Sequence, residues 1–83
     1  MVYILFSPAS GKTYIGYTAD LINRMRSHNA LSKKGYTVRY RPWKVVHVEF
    51  FDLKTEALKR EAYLKTGAGR DWILKLLLQL KEK

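Results

Sequence analysis

The period of the apolar residues changes along the chain, and each change marks an element. Val2-Tyr3-Ile4-Leu5-Phe6 is an unbroken apolar run with β-branched and aromatic members, which predicts a strand buried on both faces. Ser7-Pro8-Ala9-Ser10-Gly11 is turn chemistry, and Lys12 to Tyr17 reads as the returning strand of a hairpin. Thr18 or Asp20 can cap a helix over 21–30 whose inward face is Leu21, Ile22 and Met25. Residues 33–41 form a basic loop containing Gly35, Tyr36 and Tyr40. After Pro42, residues 43–51 alternate, contain three valines and predict a third strand. A second helix is expected over 53–65, ended by Gly67 and Gly69. A third, over 70–81, has Trp72, Ile73, Leu76, Leu77 and Leu80 at helical spacing. The order β-β-α-β-α-α, without repeat or linker, describes one α+β domain over 1–83. A small three-stranded antiparallel sheet is flanked by helices.

Composition narrows the setting. A chain of 83 residues builds one thin core, and without cysteine it has neither disulfide nor thiolate metal site to support it. No basic region precedes the first apolar run, so it does not read as a signal peptide. The apolar stretch 72–80 is too short for a membrane span and is broken by Lys75 and Gln79. A cytoplasmic protein with no membrane contact is expected. Sixteen Lys and Arg against seven Asp and Glu give a net charge of +9, unevenly placed. No acidic residue lies between Asp20 and Glu49, while Arg24, Arg26, Lys33, Lys34, Arg39, Arg41 and Lys44 all do. A one-sign field of this kind attracts polyanions. Together with Lys12, the residues Arg26, Lys33, Lys34, Arg39, Arg41 and Lys44 are the candidate nucleic-acid contacts, and Tyr36 and Tyr40 can stack on bases.

Several residues sit where packing alone would not put them. At about 100° per residue from Leu53, Leu64 falls near 20°, Ala57 near 40°, Glu61 near 80° and Leu58 near 140°. Glu61 thus lies within the apolar arc, while Thr55, Glu56, Lys59 and Arg60 are read as the solvent-facing residues. An inward carboxylate is either paired in a salt bridge or bound to a metal. Arg24 and His28 are four apart, share a helical face and border the stripe of Leu21 and Met25. Arg offers a rigid fork for a phosphate and His accepts a proton near neutral pH, although such a pair alone is usually an edge pair without chemistry. Tyr3 and Tyr14 lie on paired strands and meet if they share a face. Cross-strand packing is the ordinary reason for such a pair, and a phenol acts as a base only where cations or a metal favour phenolate. A nucleophile elbow, a phosphate-binding glycine loop and HExxH are all missing. His47, in the valine-rich strand, reads as structural.

Taken together these residues resemble the GIY-YIG nuclease domain. Tyr14-Ile15-Gly16 matches the second half of that signature, and Met1-Val2-Tyr3 fills the first half with Met1 in place of Gly. The interval from Tyr3 to Tyr14, the Arg at 24 and the His at 28 fit the family, and Glu61 falls where it has its metal-binding carboxylate. The likeness covers essentially the whole chain. It is closest to small stand-alone members, similar to the N-terminal domain of the excinuclease C subunit. It implies a metal-dependent endonuclease that hydrolyses DNA phosphodiester bonds in repair or processing, with RNA not excluded. Its catalytic residues would be Tyr3, Tyr14, Arg24, His28 and Glu61. In that scheme Glu61 holds one Mg²⁺ or Mn²⁺, Arg24 binds the scissile phosphate, Tyr3 or Tyr14 activates or positions water, and His28 assists proton transfer. Other members have a downstream Asn where this chain reads Asp71-Trp72-Ile73-Leu74. With no attached recognition domain, a protein partner would supply target specificity. The alternative is a nucleic-acid-binding module on the same scaffold with little or no turnover.

Overall fold

The structure, a computed structural model, describes residues 1–31 and 39–81. Its sheet has the order β2-β1-β3, with β1 (Val2–Ser7) central between β2 (Lys12–Tyr17) and β3 (Lys44–Glu49), all antiparallel. The central place explains the unbroken apolar run: Val2, Tyr3, Ile4 and Leu5 are all buried because both faces of β1 are covered. Tyr3 and Leu5 join Trp43, Tyr14, Leu21 and Met25 on one face. Val2 and Ile4 join Ala57, Leu64 and Ile73 on the other. The fold is therefore α+β with helices on both sides of the sheet, as the periodicity predicts.

The hairpin between β1 and β2 closes through Gly11, whose N–H donates to Ser7 O at 2.8 Å from a φ of 72°. That left-handed conformation favours glycine. Helix α1 (Leu21–Arg26) starts at Asp20, whose Oδ1 accepts from Asn23 N at 3.2 Å, so Asp20 is the cap. The expected helix over 21–30 is not uniform. It widens into a π-helical turn, Ser27–Leu31, within the last part of that span. Ile22, expected on the inward face, is 72% exposed. The short helix lies on the sheet with Leu21 and Met25 alone, and Ile22 sits 100° round from the contact line.

Helix α2 (Lys54–Leu64) and helix α3 (Gly67–Lys81) cover the second face. Gly67 and Gly69 do not end α2 as expected, because both lie in the first turn of α3. Thr66 makes the junction. Its N–H and hydroxyl both donate to Tyr63 O, and its own Oγ1 and O accept from Gly69 N and Arg70 N. One residue thus closes α2 and caps α3. Gly69 is needed for close approach, since a Cβ there would lie 2.4 Å from the Leu64 Cα. Leu80, expected in the buried stripe of α3, is 42% exposed.

Register shifts between Ile4 and Leu5, which pair with His47 and Val45, leaving Val46 as the extra residue of a bulge. Val46 and the next residue, His47, consequently both serve the α2–α3 side. Val46 packs in the core there and the His47 ring sits 5.0 Å from Trp72. Arg60 departs from its expected solvent-facing place, because at about 340° from Leu53 it borders the apolar arc, and it is only partly exposed. It forks onto Glu49 at 2.8 and 3.1 Å and stacks on Trp72 and Tyr63, joining α2, α3 and β3. Among the described residues, no helix is long and apolar enough to cross a membrane.

Candidate active site

Four of the five expected catalytic residues form one connected group on the α1 face of the sheet. Tyr3 and Tyr14 are diagonal across the β1–β2 ladder, because Tyr3 opposes Gly16 and Tyr14 opposes Leu5. Their ring centroids are 6.2 Å apart. The missing side chain at Gly16 makes room for the Tyr3 ring. A Cβ there would be 2.4 Å from the phenol oxygen and 2.6 Å from Cζ. The glycine of the Tyr14-Ile15-Gly16 signature is thus explained by a ring lying across the neighbouring strand.

The Tyr3 phenol is fully buried and joins the two residues supplied by the α1 segment. Arg24 Nε donates to it at 3.3 Å, and His28 Nε2 lies 2.8 Å away on the other side. Since the guanidinium only donates, the phenol accepts from Arg24 and can give its own proton to His28. Burial pushes the Tyr3 hydroxyl above its ordinary value, and the Arg24 hydrogen bond only partly offsets this. The Arg24 guanidinium is held charged by that bond first, and a hydrogen bond to Tyr14 adds to it. His28 is 5% exposed, and its ring meets Tyr14 edge-on at 4.8 Å. Burial depresses its pKa, and the positive charges of Arg24 and Arg41 depress it further. At neutral pH the site therefore contains a protonated Tyr3, a neutral His28 and a charged Arg24.

His28 belongs to the π-helical turn, and two residues outside the expected catalytic set hold that turn in place. Arg41 donates to His28 O and to Ser27 O at 2.6 and 3.1 Å. Asn29 clasps Trp43 from both sides, accepting from its N at 2.7 Å and donating to its O at 3.2 Å. Such widened turns free carbonyls from the helical ladder, and these side chains satisfy or brace them. Arg41, expected as a nucleic-acid contact, has its guanidinium directed into the backbone here. The sequence hint for Asn29 is its place directly after His28.

Glu61 approaches from α2. Its side chain is 22% exposed, Lys65 Nζ lies 3.9 Å from Oε1, and its charge helps keep the Tyr3 proton in place. The inward arc therefore leads to a half-buried carboxylate at the edge of the site. No cluster of three or more His, Cys, Asp or Glu side chains suited to a metal occurs among the described residues. A lone, partly exposed carboxylate does not suit zinc, which wants a closed N/S set. It does fit Mg²⁺ or Mn²⁺, hard ions bound through one or two carboxylates, water and substrate phosphate.

Of the expected nucleic-acid contacts, Lys12, Arg26, Arg39 and Lys44 are exposed. Lys12 and Arg39 lie over the Tyr40 ring at 5.9 and 5.7 Å. Lys33 and Lys34, with Gly35 and Tyr36, lie outside the described residues.

Comparison with known proteins points to the same place. A family model described as the GIY-YIG catalytic domain matches residues 1–71. A UPF0213 protein of Listeria monocytogenes is 48% identical over 52 residues, 63% of this chain and 58% of that protein. One from Staphylococcus saprophyticus is 45% identical over 56 residues, 68% of each chain. One from Staphylococcus aureus is 40% identical over 65 residues, 78% of each. The chain thus spans under two thirds of the Listeria relative's length. No solved structure matches significantly.

Proposed function

The chain belongs to the GIY-YIG catalytic-domain family, typically a family of nucleases, and from that premise we propose a divalent-metal-dependent endonuclease. Its substrate is DNA, its reaction phosphodiester hydrolysis, and its setting DNA repair or processing in the cytoplasm. The observation that supports this best is the Arg24–Tyr3–His28 hydrogen-bonded chain with Tyr14 against it and Glu61 alongside.

Each side chain has a task that follows from its surroundings. Arg24, held by two phenols yet exposed, offers its remaining N–H groups to the scissile phosphate and offsets charge as the transition state forms. Tyr3 cannot readily become phenolate in its buried place, so it acts as a positioning residue that fixes Arg24 and His28. Tyr14, only partly buried, is the phenol able to meet the attacking water. His28, held neutral and in contact with both tyrosines, assists proton transfer away from the water by way of the phenols it touches. Mg²⁺ or Mn²⁺ bound at Glu61 would supply Lewis-acid charge for the phosphate and the leaving 3′ oxygen. The residues 1–83 act as one catalytic domain, with a separate protein supplying target choice.

The test is cleavage of labelled branched, single-stranded and duplex DNA with Mg²⁺ or Mn²⁺, beside Glu61→Gln. Cutting that needs metal and falls at least about 100-fold in the variant is the expected result. Binding without cutting on every substrate would replace this reading with that of a binding module.

A further inference from the structure

Beside the catalytic group, on the opposite side of β2, lies a cavity of about 480 Å³ between that strand and α3. Its size is within the roughly 300–1,000 Å³ range of sites for small organic molecules. One wall is apolar, formed by Ile15, Ile73, Leu74 and Leu77, and Leu74 is 59% exposed. Lys65 and Arg70 stand at the same cavity and are both exposed. An apolar wall next to two cations matches neither a bare phosphate nor an apolar ligand alone. It matches a molecule with a flat, weakly polar ring at one end and a phosphate at the other.

The cavity adjoins the catalytic group through two of its lining residues. Tyr14 borders it while its ring contacts His28, and the Lys65 ammonium lies 3.9 Å from Glu61. We propose that this cavity is a nucleotide subsite: it receives one nucleotide of the substrate strand next to the scissile phosphate. The base lies on the Ile73, Leu74 and Leu77 wall, and its phosphate lies between Lys65 and Arg70. This rests on the nuclease reading for its place in the reaction. The binding event itself needs no catalysis. A strand that places a base here has that base out of its stack, so the subsite favours unpaired over fully paired nucleotides next to the cut.

The experiment is a ¹H–¹⁵N titration of the full chain in EDTA with deoxyadenosine monophosphate, inorganic phosphate and deoxyadenosine, followed by a short labelled oligonucleotide. The mononucleotide is expected to shift the amides of Thr13, Ile73 and Leu74 more than phosphate or nucleoside does. Leu74→Gln and Arg70→Ser, both at exposed positions, are expected to weaken the oligonucleotide by about five- to tenfold each. Only Arg70→Ser should lower the salt slope, by about one. Equal shifts with inorganic phosphate, or no shifts at these amides, overturn the subsite. Unchanged oligonucleotide affinity in both variants does the same. Such failure with metal-dependent cutting intact removes the subsite alone. Cutting that persists undiminished in Glu61→Gln removes the catalytic assignment and leaves the binding result to stand or fall by itself.

Discussion

At the scale of single residues, the site turns on what burial does to a phenol and an imidazole placed 2.8 Å apart. Burial opposes charge on both, so at neutral pH Tyr3 keeps its proton and His28 lacks one. His28 charges only when pH falls through a value below its ordinary 6.5. Activity should therefore rise with pH on an acid limb below 6.5 and level off near neutrality. Measuring the kcat profile from pH 4.5 upward checks this; in His28→Asn that limb should vanish with about 100-fold of the rate. The sign for stability runs the same way: the neutral imidazole's contribution is complete above the unfolded value and declines as pH drops toward the folded one. Gly16→Ala is a second residue-scale prediction. The new Cβ would meet the Tyr3 phenol at 2.4 Å, and a ring with no exposed surface has nowhere to go without leaving Arg24 or His28. A loss of about 100-fold in kcat with KM little changed is expected, since Arg24 remains exposed to bind phosphate. Spacing on a strand pair and on a helix face made Tyr3 with Tyr14, and Arg24 with His28, legible as two pairs, and the likeness to the GIY-YIG domain joined them into one site. The roles of Asn29 and Arg41 were not legible, because their bonds run across the molecule to Trp43 and back to Ser27, and no local period encodes such contacts.

At the scale of elements, the changing period of the apolar residues located the three strands and three helices found among the described residues, and missed at their joints. Gly67 and Gly69 resemble a helix stop in sequence, yet Thr66 takes the capping role because its hydroxyl can serve both helices at once. The bulge at Val46 was invisible for a similar reason. A run of valines obeys the strand pattern in either register, and only pairing with β1 decides which residue is extra. These joints make opposite predictions for two neighbouring glycines. Nothing lies within 4 Å of a Cβ added at Gly67, so Gly67→Ala should be neutral or stabilise by up to about 1 kcal/mol. At Gly69 the added Cβ meets the backbone of Tyr63 and Leu64, which no side-chain rotation can relieve. Gly69→Ala should lose about 1–3 kcal/mol, seen as a Tm several degrees lower by circular dichroism. Equal melting temperatures for the two variants would mean that α2 and α3 do not meet as described.

At the scale of the whole molecule, what counts is how its +9 charge is divided between internal pairing and free surface. On the α2–α3 side, Arg60 is tied to Glu49 and lies under Tyr63 and Trp72. Burial alone would raise the Glu49 carboxyl, but the Arg60 and His47 bonds outweigh it and leave it below its ordinary value. Arg60 is thus a structural cation. Arg26 on α1 and Lys44 at the start of β3 are, by contrast, exposed in a stretch without any acidic residue. Only cations of that second kind can release counterions from a phosphate backbone. The longest extent of the molecule is 31 Å, short of the roughly 34 Å of one duplex turn, so one face meets only a handful of phosphates. With about five such contacts, log K should fall against log salt with a slope near −4 to −5. Arg26→Gln and Lys44→Gln should each flatten that slope by about one. Arg60→Gln should leave it unchanged while costing about 1–3 kcal/mol of stability, because Glu49 loses its fork. Titrating binding between low and moderate salt, with melting curves for the same variants, separates the two kinds of cation. A slope that flattens with Arg60→Gln would mean that Arg60 is free to meet phosphate and is not held by Glu49, Tyr63 and Trp72 as described.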